Sequence, residues 1–128
     1  RAGVESTLFC GDFLTAECLE KGGYHLVFDR GCFHAMREAD RRRCFVQRAA
    51  DLLARDGLWF SLMGNADDPC PEGPPRLRAG DIALALEPDF EILLLESVDM
   101  TDSRGRGLRF WQCLARARRE RGKNPAPR

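Results

Sequence analysis

Short apolar runs, each closed by a polar or glycine-containing turn, alternate along this chain with stretches of helical periodicity. That alternation leaves few architectures open. It favours parallel strands joined by helices that pack against a central sheet. The apolar runs fall at residues 7–10, 24–28, 58–63, 90–95 and 108–115, and the expected helices at 14–21, 38–55 and 79–86. Within 38–55 the apolar side recurs at Phe45, Ala49, Leu52 and Leu53, and Gly57 stands where a helix C-cap glycine belongs. The last two runs have no helix between them. Residues 97–107 link them, which suits an antiparallel hairpin at the sheet edge. Residues 65–76 hold four prolines and read as a loop, a candidate lid.

A chain of 128 residues suits one core. Residues 1–115 are expected to form it, with 116–128 a flexible polar tail. Twenty basic residues balance twenty acidic ones, so no whole-chain field gathers nucleic acid or an anionic membrane. No apolar run approaches the roughly 20 residues of a membrane span. Six cysteines are present, none in a C-x-x-C pair, so a zinc or thioredoxin-type site has no support. Several sit in apolar surroundings, and without a signal peptide the expectation is reduced thiols in a cytoplasmic protein.

In open α/β sheets, ligands bind beyond the carboxyl ends of the strands. Asp12 and Asp29 stand at two such ends, and Arg30, Gly31, Cys32, Phe33 and His34 follow Asp29 directly. The two aspartates either converge on one cleft or cap the turns that follow them. The residues alone leave both readings open. Trp59, Phe60 and Trp111 read as core, His25 as structural, and the run Arg41-Arg42-Arg43 as a solvated helix face.

The stretch Tyr24-His25-Leu26-Val27-Phe28-Asp29-Arg30-Gly31 resembles the signature after the fourth strand of class I S-adenosylmethionine-dependent methyltransferases. It is most similar to the thiopurine methyltransferase-like branch, where an Asp-Arg-Gly triplet follows that strand. Gly11-Asp12-Phe13 resembles the segment after the third strand. Residues 52–58 resemble the turn before the fifth, Gly73-Pro74-Pro75 a loop motif of the branch, and residues 95–99 the end of the sixth strand. Nothing here matches the family's opening strand, glycine-rich loop and helix. The chain therefore reads as the C-terminal part of such a domain: a Rossmann-like, mostly parallel α/β sheet with a C-terminal antiparallel hairpin and the N-terminal strands missing.

The resemblance implies S-adenosylmethionine as cofactor, a small-molecule acceptor, in-line methyl transfer, and a monomer when complete. It implies that Asp12 accepts a hydrogen bond from the adenine amino group, with Phe13 against the ring. Asp29, Arg30 and Gly31 would line the methionine part. Arg30 would also face the acceptor, and its fixed charge suits an anionic or thiolate-like group. Its alternative is a structural ion pair with Asp29 or with a carboxylate elsewhere. His34 is a possible general base or substrate contact, or its ring turns into the helix start. Cys32 reads as packing, because methyl transfer needs no covalent enzyme intermediate. The family's sheet order, three-two-one-four-five-seven-six, leaves the strand at 24–28 with an open edge. Residues 7–10 are expected to fill it; otherwise the edge stays open and the chain is unstable or self-associates. The competing function is a non-catalytic remnant or binding domain of the same fold. A dehydrogenase is less supported, since its dinucleotide fingerprint is also absent.

Overall fold

The computed structural model describes residues 3–118. Five strands and two helices form one mixed α/β sheet with a helical layer. In chain order they are β1 (Tyr24–Arg30), α1 (Ala39–Leu52), β2 (Leu53–Asn65), β3 (Arg76–Leu77), α2 (Ala79–Leu86), β4 (Phe90–Thr101) and β5 (Gly107–Ala117). The main sheet order is β1-β2-β5-β4. β1 and β2 run parallel, while β5 is antiparallel to both β2 and β4. The last strand is thus inserted between the second and fourth, as in the expected family order four-five-seven-six. The two-residue β3 adds to β2 in parallel, at Gly64↔Arg76 and Asn65↔Leu77. Gly64 also pairs with Phe110 of β5, so β3 takes the edge that β1 vacates after Leu62.

Helix α1 forms because Phe45, Val46, Ala49 and Leu52 recur on one stripe and are all buried. Its start lacks a side-chain cap, and the Arg42 guanidinium instead binds the carbonyls of Met36 and Arg37 at 3.0 and 2.8 Å. Both helices enter one core with Trp59, Met63, Cys113 and Ala115. The register Trp59↔Ala115, Ser61↔Cys113 sets these strand residues on a single sheet face. Trp59 is the hub, with the rings of Phe33, Phe90 and Phe45 at 5.2, 5.4 and 5.6 Å. Such aromatic pairs add about 0.5–1.5 kcal/mol each beyond their burial. The opposite face carries Leu26, Phe28, Leu58, Phe60, Leu62 and Leu114, none of which joins the core cluster. Phe60 therefore lies outside the core, stacked on Phe28 at 5.7 Å.

Several expectations need correction. Residues 7–10 are exposed and belong to no strand, and β1 pairs only with β2 among the described residues. A strand needs a lateral partner, and this apolar run has none. Residues 14–21 form turns rather than a helix. The Asp12 carbonyl takes the Thr15 and Ala16 N–H groups at 3.1 and 2.8 Å, and the Arg48 guanidinium pins the carbonyls of Phe13 and Ala16. Eight residues without a strong apolar stripe are too few to repay helix nucleation. Gly57 is no helix cap. Helix α1 passes into β2 without a loop, and Asp56, not Gly57, has the positive φ of 61°. Gly57 is required instead by crowding, since a methyl group there would lie 2.9 Å from the Ala54 carbonyl oxygen.

The arginine run is only partly solvated. Arg43 bonds Asp89 at 2.7 Å and also reaches the Ala85 carbonyl, tying α1 to the turn after α2. His25 lies within β1 and is exposed. The expected tail at 116–128 begins inside β5, which runs to Ala117, and its residues 119–128 lie outside the described residues.

Candidate functional site

The carboxyl ends of β1 and β2 lie side by side, in the register Asp29↔Ser61 and Arg30↔Leu62. Asp29 is 5% exposed and its side chain lies on the core face. Its carboxylate accepts the backbone N–H of Cys32 at 3.0 Å, that of Phe33 at 3.3 Å and the Ser61 hydroxyl at 2.7 Å. Asp29 therefore caps the single 3-10 turn Phe33–Ala35. Arg30, one residue on, is exposed, and its guanidinium makes no ion pair or hydrogen bond among the described residues. The Asp29–Arg30 ion pair considered from sequence does not form.

Gly31 follows with φ +99°, a conformation that a side chain would strain. That kink turns the chain so that His34 comes back beneath it. His34 is buried, and its Nδ1 accepts the Gly64 N–H at 2.8 Å. Burial lowers the His34 pKa below the ordinary value, outweighing the pull of the Asp29 charge in the other direction. Cys32 is exposed, yet its thiol is pushed up, first by partial desolvation and then by the negative charges of Asp29 and Asp12. Phe13, the residue after Asp12, packs on Phe45, whose ring also meets Phe33, so the Asp12 turn lies beside the residues that follow β1. A raised pKa also leaves Cys32 without thiolate character.

Asp12 is exposed, and one carboxylate oxygen accepts the Leu14 N–H at 2.9 Å. Phe13 is half-buried with its ring 4.6 Å from Phe45, so much of it is committed to packing on α1. Of the residues singled out from sequence, Asp12, Asp29, Arg30, Gly31 and His34 are thus brought to one end of the sheet, while Phe13 faces the helix layer.

Sequence reasoning missed Ser61 and Gly64. Ser61 is a buried hydroxyl within the apolar run 58–63, which is the signal that marks it. Gly64 is enforced by β3: a methyl group there would collide with the Pro75 carbonyl oxygen. The proline-rich loop beside it is stapled in place. The Arg76 guanidinium reaches the carbonyls of Asp68, Cys70 and Glu72. The Asp68 carboxylate accepts the N–H groups of Cys70 and Arg109 at 2.9 and 3.0 Å, which holds its pKa below the usual carboxylate range. Any opening of this loop as a lid has to break that network.

A separate cavity of about 460 Å³ is bordered by Ala50, Leu53, Asp56 and Ala117. It lies at the amino end of β2, away from these groups. Among the described residues no cluster of His, Cys, Asp and Glu has the grouping of a metal site. No helix among them is long and apolar enough to cross a membrane.

Comparison with known proteins bears on the fold and the family. The model of the thiopurine S-methyltransferase family matches residues 2–115. A SAM-dependent methyltransferase from Methanosarcina mazei shares 7% identity with a TM-score of 0.69, over 83% of this chain and 64% of that one. The 1,6-didemethyltoxoflavin-N1-methyltransferase of Burkholderia thailandensis, solved with 1,6-didemethyltoxoflavin and S-adenosylhomocysteine, shares 20% with a TM-score of 0.58, over 79% and 47%. The [4+2]-cyclase SpnF shares 14% with a TM-score of 0.62, over 84% and 54%. The chain spans about half to two thirds of these neighbours. At such identities they share its fold. A comparison with curated proteins gives no match.

Proposed function

The chain belongs to the thiopurine S-methyltransferase family, and on that premise we propose that it serves S-adenosylmethionine-dependent methyl transfer to a small-molecule acceptor. The observation that carries the proposal is the gathering of Asp12, Arg30, Gly31 and His34 at the carboxyl end of β1. When bound there, the cofactor supplies an electrophilic sulfonium methyl group.

The residues present fit such a group in their free valences. Asp12 offers an exposed carboxylate to an exocyclic amine, as the adenine amino group requires. Arg30 offers an unpaired guanidinium to a carboxylate or an anionic acceptor. Gly31 lets backbone approach closely. The Asp29 carboxylate accepts from Cys32, Phe33 and Ser61, so it also fixes the wall that would line the methionine part of the cofactor. Catalysis by such a site is positioning and exclusion of water. The proposal includes a cytoplasmic location, which six unpaired cysteines support, and a monomeric complete protein.

A second reading is a binding domain of the same fold without turnover. The likeness to a [4+2]-cyclase favours keeping it, because this fold does not fix one reaction. Calorimetric titration with S-adenosylhomocysteine, followed by a methyl-transfer assay on a thiopurine, separates the two. Binding with turnover supports the enzyme, and binding without turnover supports the second reading. No binding at all counts against both.

A further inference from the structure

His34 is 6% exposed, and only one side of its ring is spoken for. Nδ1 accepts the Gly64 N–H, and a ring nitrogen that accepts carries no proton, so in the neutral imidazole the proton sits on Nε2. Nε2 has no hydrogen-bond partner among the described residues. It is not sealed in either, since the one fully enclosed orphan side-chain atom among them is Trp59 Nε1. A methyl group placed on the exposed Gly31 would lie 3.7 Å from Nε2. The space above Gly31 is therefore within reach of an oriented, uncharged N–H. Arg30, exposed and unpaired among the described residues, precedes Gly31 in the chain.

We propose that the Nε2–H of His34 is a fixed hydrogen-bond donor to an oxygen or ring-nitrogen lone pair of the molecule bound above Gly31, and that His34 is not the proton acceptor of the reaction. The inference rests on the methyl-transfer reading and narrows its substrate class. The lone pair a base would need is already engaged with Gly64, so His34 does not deprotonate the methyl acceptor, and an acceptor that arrives ionised needs no base. A thiolate is the simplest case. It ends as a neutral thioether when its electron pair forms the new S–CH3 bond, the old bonding pair stays on the departing cofactor sulfur, and no proton has to move. Arg30 and the Nε2–H then together hold an electron-rich ligand.

Two substitutions separate the roles of the two ring nitrogens. In His34→Asn the amide oxygen stands in for Nδ1 and keeps the Gly64 bond, but the distal donor is lost. In His34→Gln an amide N–H stands in for Nε2, and the Gly64 bond is lost. Each is measured for melting temperature, S-adenosylhomocysteine affinity, and KM and kcat with 6-mercaptopurine as the thiopurine probe. Nitrogen-15 NMR of the wild type reads the tautomer, and an Nδ1–H tautomer overturns the proposal. His34→Asn is expected to melt near wild type while losing about tenfold in binding, the scale of one hydrogen bond to a bound ligand. His34→Gln is expected to melt lower yet bind within about threefold of wild type. A loss seen with S-adenosylhomocysteine puts the accepting atom on the cofactor, and a loss confined to the thiopurine KM puts it on the methyl acceptor. Wild-type binding by His34→Asn overturns the proposal and leaves the methyl-transfer reading intact. A loss of a hundredfold or more in kcat alone, in both variants, makes His34 a general base and also overturns it. A wild type that binds neither probe overturns the methyl-transfer reading, and this inference falls with it.

Discussion

The imidazole Nδ1 of His34 and the backbone N–H of Gly64, 30 residues apart, share a buried hydrogen bond of 2.8 Å. It joins the turn after β1 to the end of β2, the two strands whose carboxyl ends carry the proposed site. Gly64 is held from other sides as well, by Phe110 of β5 and by the Pro75–Arg76 backbone.

Gly64→Ala is therefore expected to be strongly destabilising. The added methyl group has to displace backbone rather than a flexible side chain, because it would collide with the Pro75 carbonyl oxygen. Overpacking of this kind costs about 1–3 kcal/mol or more. For a domain of this size that is a fall of roughly 4 °C or more in melting temperature. Thermal denaturation checks it, and an unchanged midpoint would mean that β3 moves aside freely.

A buried carboxylate that satisfies two backbone amides and a hydroxyl is costly to remove. Asp29→Ala should lose about 3 kcal/mol or more, because it orphans the Cys32 and Phe33 N–H groups and the Ser61 hydroxyl together. Ser61→Ala deletes one bond to a charged group and should lose about 1.5–3 kcal/mol. Urea denaturation of both variants ranks them. An Asp29→Ala protein of wild-type stability that no longer binds S-adenosylhomocysteine would make Asp29 a ligand rather than a cap.

How far the sequence could be read follows from how local each signal was. Helix α1 announced itself through Phe45, Ala49 and Leu52, and the β4–β5 hairpin through two apolar runs with no helix between. Residues 7–10 and 14–21 carried equally local patterns and failed. A strand exists only with a partner beside it, and the turn at Asp12–Ala16 is held by Arg48, more than 30 residues away. The same distinction divides the site. Asp29 was legible as an acidic residue at a strand end. That its carboxylate is consumed internally depends on Ser61, and no local spacing reveals it. Gly64 was invisible for the same reason, since its constraint is the backbone of Pro75.

His34 should give the fold a pH dependence of definite sign. Its folded pKa lies below the ordinary value of about 6.5, so the unfolded chain binds the proton more tightly. Between the lowered folded pKa and about 6.5, unfolding takes up protons and stability falls as pH falls. Above about 6.5 this contribution is flat. Asp68 and Asp102 have depressed folded pKa values, so their contribution persists to lower pH and is lost only as pH drops through those values. Urea midpoints at pH 7.5 and 5.5 should show a drop in the wild type that is smaller in His34→Asn. Equal drops in both would assign the effect to other groups.

Arg30 and Asp12 are expected to separate in their effects. Both are exposed, so neither Arg30→Ala nor Asp12→Ala should shift the melting temperature by more than a few degrees. Asp12→Ala should weaken S-adenosylhomocysteine by about tenfold through a lost charge-assisted hydrogen bond. Arg30→Ala should reduce kcat/KM for an anionic thiopurine more than it reduces cofactor affinity. Equal losses in both measurements would confine Arg30 to the cofactor.

The open edge of β1 makes a prediction about association. Among the described residues β1 has β2 as its one partner, and its outward side chains Leu26 and Phe28 are 57% and 58% exposed. They continue a face of Leu58, Phe60, Leu62 and Leu114 that no core residue covers. The neighbouring segment adds exposed Val4, Leu8 and Phe9. An unpaired strand with an apolar face recruits another surface, and parallel sheets are ordinarily buried on both faces. The isolated 128-residue chain should therefore associate as its concentration rises. Leu26→Lys together with Phe28→Thr should return it towards a monomer. Stability should change little, because both side chains are more than half exposed. The expected loss is the Phe28–Phe60 stack at 5.7 Å, about 0.5–1.5 kcal/mol. Light scattering across a concentration series is the test. A wild-type chain that stays monomeric throughout would show that this face is not adhesive, and a double variant that still associates would move the contact to the segment around Leu8 and Phe9.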